Sequence, residues 1–330
     1  MSGTVTVLAA TMAAVTDLGR AQGPALGLAA GGALDQSSAR VANTLVGNRD
    51  AAPLIEITAF DFSFRTDTDI LIAVTGARMD VYVDDIPTPM WAPVFVQAGQ
   101  KVELENMSAG LRAYVAVHGS FEVPLLLGSC APDAAAGFGS LLAADTTLAL
   151  HASTAPLTQE AAEVLALFDL GVDVPYFGPG TVIDVTDGPD IDEFAGTVLR
   201  LFAAPFRITD KSNHIGLRMT GRLPVREVTH EILSRGVPIG AVEIPPGDEL
   251  VVLHRGRGVT AGYPVLAVVT PVSLDTLAQV RPGEHVRFRH ATLRSAAADA
   301  HYWHHRLQNL RHSVDAAYTH VGRPDLRCAA

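Results

Sequence analysis

The sequence predicts a mainly β protein with few helices, built as two barrel-like lobes and closed by a C-terminal amphipathic helix. Three observations carry this. Short apolar runs recur between turn signals over most of the 330 residues. One central stretch replaces that alternation with helix-forming residues, and one long stripe at helical spacing lies near the end.

At this length two lobes with separate cores are expected rather than one undivided domain. Apolar residues make up 48% and charged residues 18%, with Gly and Pro scattered as punctuation, which is the composition of a folded, loop-rich chain. The net charge of -11, with Lys101 and Lys211 the only lysines and no arginine run, gives a phosphate backbone nothing to neutralise. Nucleic-acid binding is therefore excluded in favour of a small molecule or a protein partner. Cys130 and Cys328 lie too far apart in sequence to indicate a disulfide framework or a zinc site, so a reducing compartment, the cytoplasm, is expected.

Taken in order, the apolar stretch Val5 to Val15 has no Lys or Arg before it and is too short to span a membrane; it reads as a first strand and turn. No later segment sustains the apolar length of a span, so no membrane association is expected. Asp35 is a plausible cap for a helix over Ser37 to Leu45. Strands are expected at Leu54 to Ala59, Ile70 to Thr75, Val81 to Val83, Val94 to Val96, Val102 to Leu104 and Ala113 to Val117, completing a first lobe over residues 1–150.

A connector over 151–180 holds the helix-forming TQEAAEVLALF and the turn-rich VPYFGPG. The second lobe, 181–293, draws its strands from LPVREVTHEIL, VPIGAVEIPPGDELVVLH, YPVLAVVTP and PGEHVRF. In the tail, 294–330, Trp303, Leu307, Leu310, Val314 and Ala317 form one helical stripe and put His301, His305 and His312 on the solvent face.

Generic catalytic signatures are missing: no G-x-S-x-G, no nucleotide P-loop, no H-E-x-x-H and no C-x-x-C. The loop GRGVTAG, Gly256 to Gly262, can present backbone N–H groups but lacks the P-loop lysine, and reads as a tight turn. His301 and His305 have chelating spacing without a third ligand, so no metal site is expected there. The acids Asp184, Asp187, Asp190, Asp192 and Glu193 read either as a solvated loop or as a metal or acid-tuning cluster.

Longer strings are more specific. DLGR (17–20), GALD (32–35), ARVANTLVGN (39–48), IEIT (55–58), TGA (75–77), RAYVAV (112–117) and VPLLLGS (123–129) are followed by GPDIDEF (188–194), SNHIGLRMTG (212–221), SRGVPIGAVEIP (234–245), TAGYP (260–264) and LAQVRPGEHVRF (277–288). In that order and spacing they resemble the KipA family, also described as the C subunit of 5-oxoprolinase, the second subunit of allophanate hydrolase and the biotin-dependent carboxyltransferase family.

The resemblance implies two β-rich lobes, at least one of them cyclophilin-like. It implies work beside a KipI-like subunit, with ATP held mainly with that partner, in opening 5-oxoproline to glutamate. A second implied reading is a biotin-dependent carboxyltransferase acting on a urea-like or amide acceptor. With no Met-Lys-Met sequence, this chain can accept carboxybiotin but not carry biotin covalently. A third is a divergent paralogue that keeps the fold and partner surface without catalysis.

The matching polar positions are the site candidates: Asn213, Arg218, Thr260 and Tyr263 as catalytic, and Asp17, Arg20, Asp35, Asn43, Asn48, Glu56 and Gln279 as cofactor-binding. The alternative for the first-lobe set is structural, with Asp35 capping a helix, Asn43 and Asn48 fixing turns and Glu56 pairing with an arginine. The family pattern is broken at Cys130, Asp190, His214, Thr220, Arg235, Glu243, Gly256 and Gly258. Because Glu243 and Arg235 carry opposite changes of charge, they are candidates for a new pair.

Overall fold

The computed structural model describes residues 3–151, 157–166 and 168–321; Cys328 lies outside them. The chain divides into two compact units, Met1–Gly19 with Gln36–Tyr176 and His304–Ala330, and Arg20–Asp35 with Phe177–Trp303.

The first unit is organised on a nine-stranded antiparallel sheet. The sequence reads as four separate runs where the chain makes only two long strands, Ile70–Val83 and Lys101–Val117, paired with each other. Their register shifts between Gly76 and Arg78 and again between Arg78 and Asp80. Such bulges interrupt the apolar alternation without ending the strand, so the pattern breaks where the backbone does not. Gly76 is required at the bend: its φ is +84°, and a Cβ there would stand 2.3 Å from the Arg112 carbonyl oxygen. The strand Phe62–Thr66, not expected from the sequence, buries Phe62 and Phe64 in the same core.

Helix Gln36–Leu45 lays Ala39, Ala42 and Leu45 against the two long strands. The C-terminal helix, Leu293–His320, buries Leu307, Leu310, Val314 and Ala317 of its stripe, leaves Trp303 only half-buried, and leaves His301, His305 and His312 exposed. Within the first unit it is pinned by polar contacts. The Tyr318 hydroxyl, whose pKa burial pushes up, donates to the Leu45 carbonyl at 2.8 Å, and Arg311 donates to Thr44 at 3.2 Å and to Asp50.

The second unit contains a closed seven-stranded barrel: Thr181–Asp187, Val265–Val269, Ala241–Glu243, Leu250–Leu253, Gly216–Thr220, Phe206–Ile208 and His285–His290. Ile183, Phe206, Met219, Val242, Val252 and Phe288 are among the residues filling it. LPVREVTHEIL, expected to be strand, is irregular throughout 223–233. A closed barrel has no free edge to extend, so the segment is tied by isolated bonds instead, Glu227 N–H to the Glu193 carbonyl and Val225 N–H to Thr197 Oγ1. Helix Pro271–Leu277 was also unforeseen, although Thr-Pro before an apolar run is a readable start. Among the described residues no helix is long and apolar enough to cross a membrane.

Candidate functional site

Side chains alternate along a strand, and cross-strand partners share a face. In the barrel, Leu217, Met219, Val242, Leu250 and Val252 point into the core. The residues between them therefore face outward, and the register sets Arg218 beside Val251 and Val251 beside Glu243. Pro245 to Glu249 and Tyr263 border this outer wall, making a cleft of about 810 Å³ that Lys211, Asn213 and Thr220 also line.

The cleft joins a cation pair to a buried acid. Glu249 accepts from Arg218 Nη1 at 2.9 Å and from Lys211 Nζ at 3.2 Å, and these bonds hold its carboxyl below the ordinary value. Glu243 is 2% exposed, and its Oε1 has no hydrogen-bond partner. Burial pushes its pKa up to about 7, against the opposing pull of the Arg235 charge. Arg235 does not pair with Glu243 as the sequence proposes; its ion pair is with Asp190, whose Oδ2 also accepts the Val265 N–H at 2.7 Å. Asp190 enters from the turn after strand Thr181–Asp187 and occupies the guanidinium first.

Asn213, Arg218 and Tyr263 are brought together in this cleft, where Asn213 Oδ1 accepts from the Ile215 and Gly216 N–H groups and shapes the turn before Arg218. Thr260 is exposed in the small ribbon that Thr260–Ala261 forms with Arg235–Gly236, outside the lining. Within the same unit Gln279 donates to Asp35 at 2.7 Å, both buried, and the Arg20 guanidinium is buried with Nη1 near the Ala29 carbonyl.

The remaining candidates belong to the first unit. Asp17 accepts from Ser129 Oγ at 2.6 Å and from the Cys130 N–H at 2.8 Å. Asn43 and Asn48 are buried and bond to each other and to backbone, and Glu56 accepts from the Tyr114 hydroxyl at 2.9 Å and lies 3.9 Å from Arg112. Four of the five acids around GPDIDEF meet basic side chains: Asp184 with Arg289, Glu193 with Arg226, Asp190 with Arg235, and Asp187 with the His290 ring. Among the described residues no group of three or more potential metal ligands is gathered.

A family model described as carboxyltransferase domain, subdomain A and B, matches residues 26–290. The chain belongs to this carboxyltransferase-domain family. It is 30% identical to the C subunit of 5-oxoprolinase from Escherichia coli (strain K12) over 266 residues, which are 80% of this chain and 84% of that one. The crystal structure of TTHA0988 superposes with a TM-score of 0.73 at 29% identity, over 88% of this chain and 55% of the other. That of the K. lactis urea amidolyase gives 0.82 at 25% identity, over 93% of this chain and 20% of the other. The chain thus spans about half of the first structure and a fifth of the second.

For a member of this family, the informative residue that the sequence alone did not place in the site is Glu243. Its signal was present: an acid inside the apolar run AVEIP. Lys211 and Glu249 carried no signal, since either one reads as a surface charge. In the unfolded chain the Glu243 carboxyl ionises near 4.5 and in the folded chain near 7, so folding takes up a proton between those values. Stability from this group therefore falls as pH rises through that window. E243Q is expected to remove that loss. It should stabilise the protein more at pH 8 than at pH 5, by about 1–2 kcal/mol after allowance for solvent in the cleft. Urea unfolding at the two pH values measures it, and equal effects at both would refute the assignment.

Proposed function

We propose that this chain is the carboxyltransferase-domain half of a two-subunit enzyme that uses ATP to open a cyclic amide, converting 5-oxoproline to glutamate, and that it acts beside a KipI-like subunit. The observation that supports this best is the pairing, in one cleft, of exposed cations at Lys211 and Arg218 with a buried acid that titrates near neutrality. A ligand bearing both a carboxylate and an amide matches those two features; urea, lacking a carboxylate, matches only one.

In this reading Arg218 and Lys211 take the ligand carboxylate, Asn213 and Tyr263 border it, and Glu243 holds or transfers a proton at the amide. Positioned donors and acids of this kind commonly contribute about a hundredfold or more in rate. With Asp248 and Glu249 also in the lining, the cleft suits the single charge of a carboxylate better than the several charges of a triphosphate. ATP is accordingly assigned to the partner subunit, and no step on this chain is routed through it.

The test is ATP hydrolysis by the purified pair with and without 5-oxoproline, against each subunit alone. A 5-oxoproline-dependent rate confined to the pair is expected, and R218A should lower it at least about tenfold. A pair that assembles but shows no stimulation would overturn the reaction.

A further inference from the structure

One outer wall of the closed barrel carries a row of arginines. On strand His285–His290 the side chains of Val286 and Phe288 fill the core, so His285, Arg287 and Arg289 face outward, and all three are exposed. They recur about 7 Å apart along the strand. The register sets Arg207 beside His285, Val182 beside Arg287 and Asp184 beside Arg289. On its other side Arg207 pairs with Thr220, which lines the cleft, so the row begins at the edge of the cleft and runs away from it.

This wall is left with unbalanced positive charge. Asp184 is taken by Arg289, which donates to it from Nε at 2.6 Å and from Nη2 at 2.8 Å. Among the described residues, neither Arg207 nor Arg287 has an ion pair or a side-chain hydrogen bond. The chain as a whole carries a net charge of -11, so here an acidic surface can approach without the repulsion it meets elsewhere.

The cations of the row are arginines rather than lysines. A guanidinium is weakly hydrated, stays charged and meets a carboxylate through two parallel bonds, and arginine is enriched at protein interfaces where lysine is depleted. Val182, 41% exposed, adds an apolar flank beside Arg287. A nucleic acid fits less well, because the acidic remainder of the chain opposes a polyanion longer than the row.

We infer that this wall docks a protein partner through carboxylates on the partner's face, and that the occupant is the second subunit required by the proposed function. The inference rests on that reading and adds where the partner sits and the chemistry that holds it. A subunit on this row borders the cleft at Thr220, where ATP-dependent chemistry supplied from outside the chain has to reach.

The experiment measures the dissociation constant between the full chain and the purified KipI-like subunit at about 0.05 M and about 0.5 M salt, where screening is weak and strong respectively. R207E and R287E should each weaken binding at least about tenfold at low salt, and the loss should shrink at high salt. R287K, which keeps the charge, should stay within about threefold of wild type. Arg65 is exposed on strand Phe62–Thr66 of the first unit, and R65E changes the net charge equally, so it should bind as wild type does.

Wild-type affinity in R287E, an equal loss in R65E, or no association between the subunits would each overturn the inference. Light scattering of the chain alone should give a monomer; self-association abolished by R287E would assign the row to a second copy and overturn the choice of occupant. Row-dependent assembly without 5-oxoproline-stimulated ATP hydrolysis sinks the reaction and leaves the inference standing. Stimulated hydrolysis in a pair whose affinity is indifferent to Arg207 and Arg287 does the reverse.

Discussion

Asn48→Leu is expected to lower the stability of the first unit by about 3–4 kcal/mol, a large share of the 5–15 kcal/mol typical of a domain. Asn48 is buried and uses both ends of its amide. Nδ2 donates to Asn43 Oδ1 at 3.1 Å and to the Val117 carbonyl at 2.8 Å, while Oδ1 accepts the Gly119 N–H at 2.9 Å. The Val117 carbonyl keeps a second donor, the Ser120 N–H, but the Gly119 N–H and Asn43 Oδ1 would be stranded. A stranded buried group costs about 1–3 kcal/mol, and fully buried Asn43 weighs more in this than half-buried Gly119.

The damage should spread, because Asn43 Nδ2 holds the Asp50 and Ala52 carbonyls and Asp50 is the anchor for Arg311 of the C-terminal helix. Asn48→Asp, nearly isosteric, keeps the acceptor for Gly119 but turns both donated bonds into oxygen–oxygen contacts, and should be comparably harmful. Urea unfolding reads both variants. A loss below about 1 kcal/mol in either would show that the network is solvated rather than structural.

Arg235→Met should cost about 2–3 kcal/mol, less than a fully buried pair would because the arginine side chain is 39% exposed. It leaves the Asp190 carboxylate, 10% exposed, without its cation but still accepting the Val265 N–H. Adding Asp190→Asn should recover most of that loss, since a neutral amide still accepts the Val265 N–H. A double-mutant cycle that gave additive losses would contradict the pairing. The same substitution removes the cation that restrains Glu243, so the Glu243 pKa should rise further.

Two breaks in the family pattern meet in that pair, Asp190 with Arg235, and two more meet at His214 and Gly256. The Gly256 N–H donates to the His214 carbonyl at 3.1 Å, and a Cβ on Gly256 would stand 2.4 Å from the His214 ring. Changes that fit each other in space keep the barrel wall intact.

The sequence by itself determined the β class, the helix Gln36–Leu45, the face that the C-terminal helix buries and the family, because periodicity and long ordered strings are local signals. It also singled out Asn213, Arg218, Thr260 and Tyr263, of which the fold gathers all but Thr260 along one cleft. What it left to the tertiary structure depends on register and closure. Bulges merged separate runs into the long strands Ile70–Val83 and Lys101–Val117, and closure of the barrel left LPVREVTHEIL without an edge to join. Pairing across strands set Glu243 beside Val251 and Arg218 on an outer wall. Whether a glutamate is a solvated charge or a buried acid titrating near 7 is decided by what covers it, and residues far apart in the chain do the covering.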